Sequence, residues 1–112
     1  MKLLTKALRA KLLANGANRY NLLRDFKPVV KFFNPNGAAT WLFTELAADG
    51  DTLYGLCDLG FGTPELGYAS LSELAAVRTR FGLGIERDLW FTAAGPLSEY
   101  TAAARETGSI KA

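Results

Sequence analysis

Histidine is absent from this 112-residue chain. Its absence removes imidazole-activated serine or cysteine nucleophiles, imidazole zinc sites and the usual general base near neutral pH. Cysteine occurs once, at Cys57. One thiol forms no intrachain disulfide and no thiolate metal cluster, and a reducing, cytoplasmic setting is the expectation. Among apolar neighbours, with no adjacent base, Cys57 reads as a sheltered and inert thiol. No apolar run reaches the ~18 residues of a membrane span, so no membrane partner is expected. At the start of the chain, Lys6, Arg9 and Lys11 interrupt any signal-peptide core, and the segment reads as the first helix of the fold. Lysine and arginine are also missing between Phe32 and Val77.

Almost half of the residues are apolar, enough for a real core in one domain spanning 1–112. The net charge of +2 hides a strong separation. Residues 1–31 carry eight basic side chains and only one acid, Asp25. The basic-free stretch carries Glu45, Asp49, Asp51, Asp58, Glu65 and Glu73.

Leu4, Leu8 and Leu12 recur at helical spacing, which predicts a helix over 5–14 with Thr5 as its cap and Asn15-Gly16 as its stop. Pro28 introduces an extended run over 29–33, and Asn34-Pro35-Asn36-Gly37 is a turn. A second strand over 39–46 alternates Trp41, Phe43 and Glu45 on one side with Leu42, Thr44 and Leu46 on the other. Asp49-Gly50 turns the chain into a third strand over 52–59. Gly60-Phe61-Gly62 forms a loop, and a fourth strand covers 65–69. Ser70-Leu71-Ser72-Glu73 has the pattern of a capping box and opens a helix to about Arg80. A fifth strand is expected over 85–92 and a last helix over 98–107, closed by Gly108. Strands joined by tight turns pair antiparallel. The expected fold is therefore α+β: an antiparallel meander of about five strands, with three helices packed on one face or end.

Several stretches together carry a family resemblance: Leu3-Leu4-Thr5-Lys6, Pro28 through Phe33, Ala39 through Leu46, Gly55 through Gly60, Pro64 through Tyr68, Ser70 through Leu74, and Glu86-Arg87-Asp88. In this order, and over almost the whole chain, they resemble domain of unknown function 2958. That family is bacterial and often carried on plasmids, phages and integrated elements. The resemblance implies a mobile-element accessory protein, of the kind that often acts against host defence (anti-restriction or anti-CRISPR) or supports transfer, and it supplies no catalytic or binding residue.

Five constellations have chemical content. Glu45, Asp58 and Glu65, if gathered on one face, would offer oxygen ligands to Mg²⁺ or Mn²⁺ and make a carboxylate-metal hydrolase or nuclease. Their plain alternative is a solvated face or pairing with Arg87 and the basic residues of 1–31. Arg87, between Glu86 and Asp88, is either a ligand fork or the partner of Glu45 or Asp58. Gly60-Phe61-Gly62 and Gly82-Leu83-Gly84 lack a phosphate-loop context and read as turns, with Phe61 an aromatic at a loop tip. Lys2, Lys6 and Arg9, followed by Arg19, could meet phosphates. The acids of 32–77 could form a face that mimics nucleic acid. No catalytic residue, metal or cofactor is assigned. The reading these residues favour is a non-enzymatic protein-interaction module, monomeric or weakly dimeric. Its candidate contacts are Trp41, Glu45, Asp58, Phe61, Glu65, Arg87 and Asp88. Nucleic acid at Lys2, Lys6, Arg9 and Arg19 is the alternative.

Overall fold

A computed structural model describes residues 2–18 and 24–112. The elements run α1 (Lys6–Ala17), β1 (Val30–Phe33), β2 (Thr40–Leu46), β3 (Thr52–Asp58), β4 (Glu65–Ser70), α2 (Leu71–Ala76), β5 (Glu86–Arg87) and α3 (Leu97–Thr107). The five strands form one sheet in the order β4-β3-β2-β1-β5, and every pairing is antiparallel. The α+β class, the meander and the three helices are as expected from the sequence.

The helices differ from expectation in placement, since they cover both faces of the sheet. Trp41 and Phe43 join Leu12 of α1 and Leu74 of α2 in one apolar cluster, while Leu42 and Leu56 join Leu97 and Ala104 of α3 in a second. Neighbouring residues on a strand point to opposite faces, so a sheet that is apolar on both faces needs cover on both. The α1 face holds the larger core, with Phe32 and Phe43 fully buried in an edge-to-face pair 5.6 Å apart. Each such side chain contributes roughly 1.5–3 kcal/mol through burial.

One residue changes the logic of β2. Phe43 pairs with Gly55, but Glu45 pairs with Tyr54, which leaves Thr44 as the extra residue of a β-bulge. An extra residue reverses the alternation beyond it. Leu46 therefore enters the α1 core, and Glu45 crosses to the α3 face beside Tyr54. This corrects the unbroken alternation read from the sequence, in which Glu45 shared a side with Trp41 and Phe43.

α1 supports the bulge. Asn15 and Gly16 do not stop the helix, which runs on to Ala17. The Asn15 side-chain amide instead donates to the Thr44 carbonyl at 2.9 Å. A Cβ on Gly16 would lie 2.2 Å from the Leu46 carbonyl oxygen, so glycine lets the helix approach β2 closely. The Asn-Gly pair thus docks the helix on the bulge.

Two further boundaries differ. α2 ends at Ala76, because Val77 is extended and residues 79–83 close a separate turn through Thr79–Leu83 and Gly82–Thr79 backbone bonds. β5 is two residues long: past Arg87, the Asp88 carboxylate accepts from the Trp90 amide at 2.9 Å and bends the chain away from the sheet. Half of the capping box of α2 forms, with the Ser70 hydroxyl accepting from the Glu73 amide at 3.2 Å and no return bond from the Glu73 carboxylate. Asp51 completes that end of the fold, accepting from the Ser70 hydroxyl at 2.7 Å and the Ser72 amide at 2.8 Å.

The β2–β3 turn rests on Asp49. Its carboxylate accepts from the Asp51 and Thr52 amides at 2.8 and 2.9 Å and from the Thr52 hydroxyl at 2.7 Å. The Thr52 amide, then the Asp51 amide, lower its pKa from 3.8 to about 2. A carboxyl whose pKa is depressed on folding adds stability above its unfolded pKa, and that contribution disappears as pH falls through the folded value. Asp49→Asn is therefore expected to destabilise the protein at pH 7 and to make little difference below pH ~2. Thermal melts of both proteins between pH 7 and pH 2 check this, and parallel pH curves would contradict it.

Candidate functional site

Glu45, delivered to the α3 face by the bulge, is buried with 6% of its surface exposed. Its carboxylate pairs with the Arg24 guanidinium. The Arg24 guanidinium also lies 5.9 Å from the centre of the Phe26 ring. Next to it, Asp25 accepts from the Ser98 amide at 3.2 Å and from the Ser98 hydroxyl. That carboxylate caps α3, whose own capping position is Pro96 with no side-chain bond to give. The Leu97 amide donates to the Phe26 carbonyl at 2.9 Å, completing the join between this segment and α3.

Two cavities meet at the ion pair. One, of about 300 Å³, opens towards Ser98 and Thr101 of α3, and the other, of about 140 Å³, opens towards Gly16 and Tyr68. Arg24, Glu45 and Tyr54 line both. The Tyr54 ring stands 5.1 Å from that of Tyr68, and burial, followed by the Tyr68 phenol, raises the Tyr54 pKa above its ordinary value. Among the described residues, no buried side-chain nitrogen or oxygen lacks a hydrogen-bond partner. The cleft is thus internally satisfied: its charges neutralise each other and no orphaned donor or acceptor faces into it.

The carboxylates proposed as metal ligands do not converge. Asp58 is buried and accepts from the Gly60 amide at 2.9 Å and the Ile110 amide at 3.0 Å, tying the β3–β4 loop and residues after α3 to the sheet. Glu65 pairs with Cys57 and so faces the α1 side, away from Glu45 and Asp58. Among the described residues, no three metal-ligating side chains come together. Arg87 does not serve Glu45 or Asp58 either, since it donates to the Lys2 and Leu3 carbonyls at 3.2 and 2.7 Å. Asp88 pairs with Lys31 at 3.6 Å. Trp41, a candidate contact, is a core residue only 7% exposed. Cys57 lies half-buried on the α1 side, and burial pushes its thiol up to about 11.

The acidic stretch is absorbed by the fold as well. The Glu45, Asp49, Asp51 and Asp58 carboxylates are held by the bonds given above, and among the described residues only the Glu65 and Glu73 carboxylates of that stretch make no hydrogen bond or ion pair. Of the basic set, Lys2 and Lys6 are exposed, Arg9 donates to the Gly50 carbonyl at 3.1 Å, and Arg19 lies outside the described residues.

What the structure does gather is apolar surface. The β1–β2 turn and the β3–β4 loop lie at the same end of the sheet by their register. Gly60 packs against Ala38, and the Asn36 side-chain amide donates to the Thr79 hydroxyl at 2.6 Å, drawing residues 77–84 to that end. Phe61 is 84% exposed and Phe81 70%, with Leu59 and Leu83 also exposed. Trp90, 92% exposed, stands on an adjoining open groove of about 530 Å³ that Asn34, Ala39 and Thr40 also line. Only Phe61 of this set was marked from the sequence. Phe81 between helix and glycines, and Trp90 two residues after a turn-forming aspartate, are the local signals that point to the others.

The model of one protein family, described as protein of unknown function DUF2958, matches residues 3–111. The chain belongs to this family. No curated protein and no solved structure matches the chain significantly. Within this DUF2958 chain, none of the helices among the described residues is long and apolar enough to cross a membrane.

Proposed function

We propose that this chain is a non-enzymatic protein-interaction module, working in the cytoplasm as a mobile-element accessory whose target is a component of a host defence system. The observation that supports the interaction reading is the set of large apolar side chains held out by three adjoining loops: Leu59 and Phe61, Phe81 and Leu83, with Trp90 beside them. Clustered exposed aromatics cost solubility unless something covers them, and aromatic anchors dominate the energetics of protein contacts. The mobile-element and anti-defence parts of the proposal rest on the family resemblance. The dispersed carboxylates give the hydrolase alternative no support, and the nucleic-acid alternative rests on the exposed Lys2 and Lys6.

The test is affinity capture from the bacterial host with the wild-type chain and with Phe61→Ser/Phe81→Ser/Trp90→Ser. The wild type should recover one partner in stoichiometric amount. The variant should lose it while melting at the wild-type temperature, because none of the three side chains belongs to the core. Recovery of no partner, or equal recovery by the variant, would reject the reading. The partner's identity then decides the defence assignment.

A further inference from the structure

α1 and α2 lie on the same face of the sheet, and a groove of about 550 Å³ runs between them. Its floor is Leu3, Leu4, Leu71 and Ala75, and Lys2, Lys6 and Arg9 stand around it. The lysines are exposed, and among the described residues neither pairs with a carboxylate. No acidic residue occupies the first turn of α1, so the positive end of this 12-residue helix adds to the lysine charge instead of being neutralised. The groove is therefore apolar at its base and cationic at its rim.

We infer that this groove takes an acidic amphipathic segment of a partner protein. Leucine-like side chains would lie on the Leu4–Leu71–Ala75 floor, and aspartates or glutamates would face Lys2 and Lys6. The inference rests on the interaction-module reading and deepens it by giving the chemistry of a second contact, remote from the loop end. Charge complementarity selects the occupant, since the rim matches a negatively charged segment and repels a basic one. The apolar floor selects a protein segment over nucleic acid, whose backbone offers nothing to cover leucine. Its concave form suits an inserted helix or strand better than a flat lipid surface.

A random 16-residue peptide display library, selected on the wild-type chain, is the test. Enriched sequences should combine large aliphatic residues with Asp and Glu. Lys2→Glu/Lys6→Glu should reverse the charge of the enriched set to Lys and Arg. Ala75→Trp, which fills the groove from an exposed position, should weaken a selected acidic peptide at least tenfold while leaving the melting temperature unchanged. The Phe61→Ser/Phe81→Ser/Trp90→Ser variant should select the same peptides as the wild type, which separates failure of the groove from failure of the loop surface. No enrichment, enrichment without acidic bias, or selection indifferent to the charge reversal would overturn the inference. So would binding to duplex DNA or to phosphatidylserine vesicles, abolished by Lys2→Glu/Lys6→Glu, in place of peptide selection.

Discussion

Gly55→Ala is expected to cost about 3 kcal/mol or more, the upper end of what forced overpacking costs. That corresponds to a fall of roughly 15 °C in Tm for a domain of this size. Gly55 lies opposite Phe43 at the bulge. A Cβ there would stand 1.9 Å from the Leu42 carbonyl oxygen and 2.8 Å from the Phe43 Cα. Both obstacles are backbone, so no side-chain rotation relieves them. The strands would have to part where the bulge already interrupts their ladder. Its partner across β3 and β4 supplies the control. Gly67 pairs with Gly55, yet a Cβ at Gly67 would meet nothing within 4 Å. Gly67→Ala should therefore be neutral or stabilising by roughly 0.5 kcal/mol, since glycine in a strand carries excess backbone entropy in the unfolded chain. Thermal melts of the two single variants give opposite signs if the close approach is real. A Gly55→Ala Tm within a few degrees of the wild type would refute it.

These two glycines also show where sequence reading reaches and where it stops. Strands β1 to β4, the Asn34–Gly37 and Asp49-Gly50 turns and the Ser70 cap were legible because each depends on residues within a few positions of one another. The bulge was not. Trp41, Leu42, Phe43, Thr44, Glu45 and Leu46 alternate without a visible break, and the residues that accommodate the extra one are Gly55, Asn15 and Gly16, none of them in that strand. Asn15-Gly16 misled for the same reason: its local preference is to end a helix, but the contacts with Thr44 and Leu46 override it. The fifth strand was overextended because Leu89, Trp90 and Phe91 have strand-like composition, whereas the Asp88 side chain bonds its own downstream backbone and turns the chain. At the candidate site, the general expectation that carboxylates would find basic partners from the first 31 residues held for Glu45, but the particular partner, Arg24, depends on a face that the bulge reversed.

The reversal makes Arg24 the residue whose loss should be felt most at the cleft. Arg24→Ala leaves the Glu45 carboxylate inside the fold without its cation. Removing one member of a buried pair costs about 3–5 kcal/mol. Because the Arg24 side chain keeps 24% of its exposure, water screens part of that cost, and about 2–3 kcal/mol is the expected loss. Some of it comes from lost packing on Phe26, not from charge. A double-mutant cycle separates the two. Glu45→Gln alone keeps a hydrogen-bonding side chain opposite Arg24 and should cost about 1 kcal/mol. In the Arg24→Ala background the same change removes the stranded charge, so the double variant should be more stable than Arg24→Ala alone. Denaturant unfolding of the four proteins measures the coupling. An Arg24→Ala variant as stable as the wild type would place the pair among solvent-screened surface contacts, worth about 0–1 kcal/mol, and the cleft would then be held by Asp25 on α3 and by the Leu97–Phe26 backbone bond.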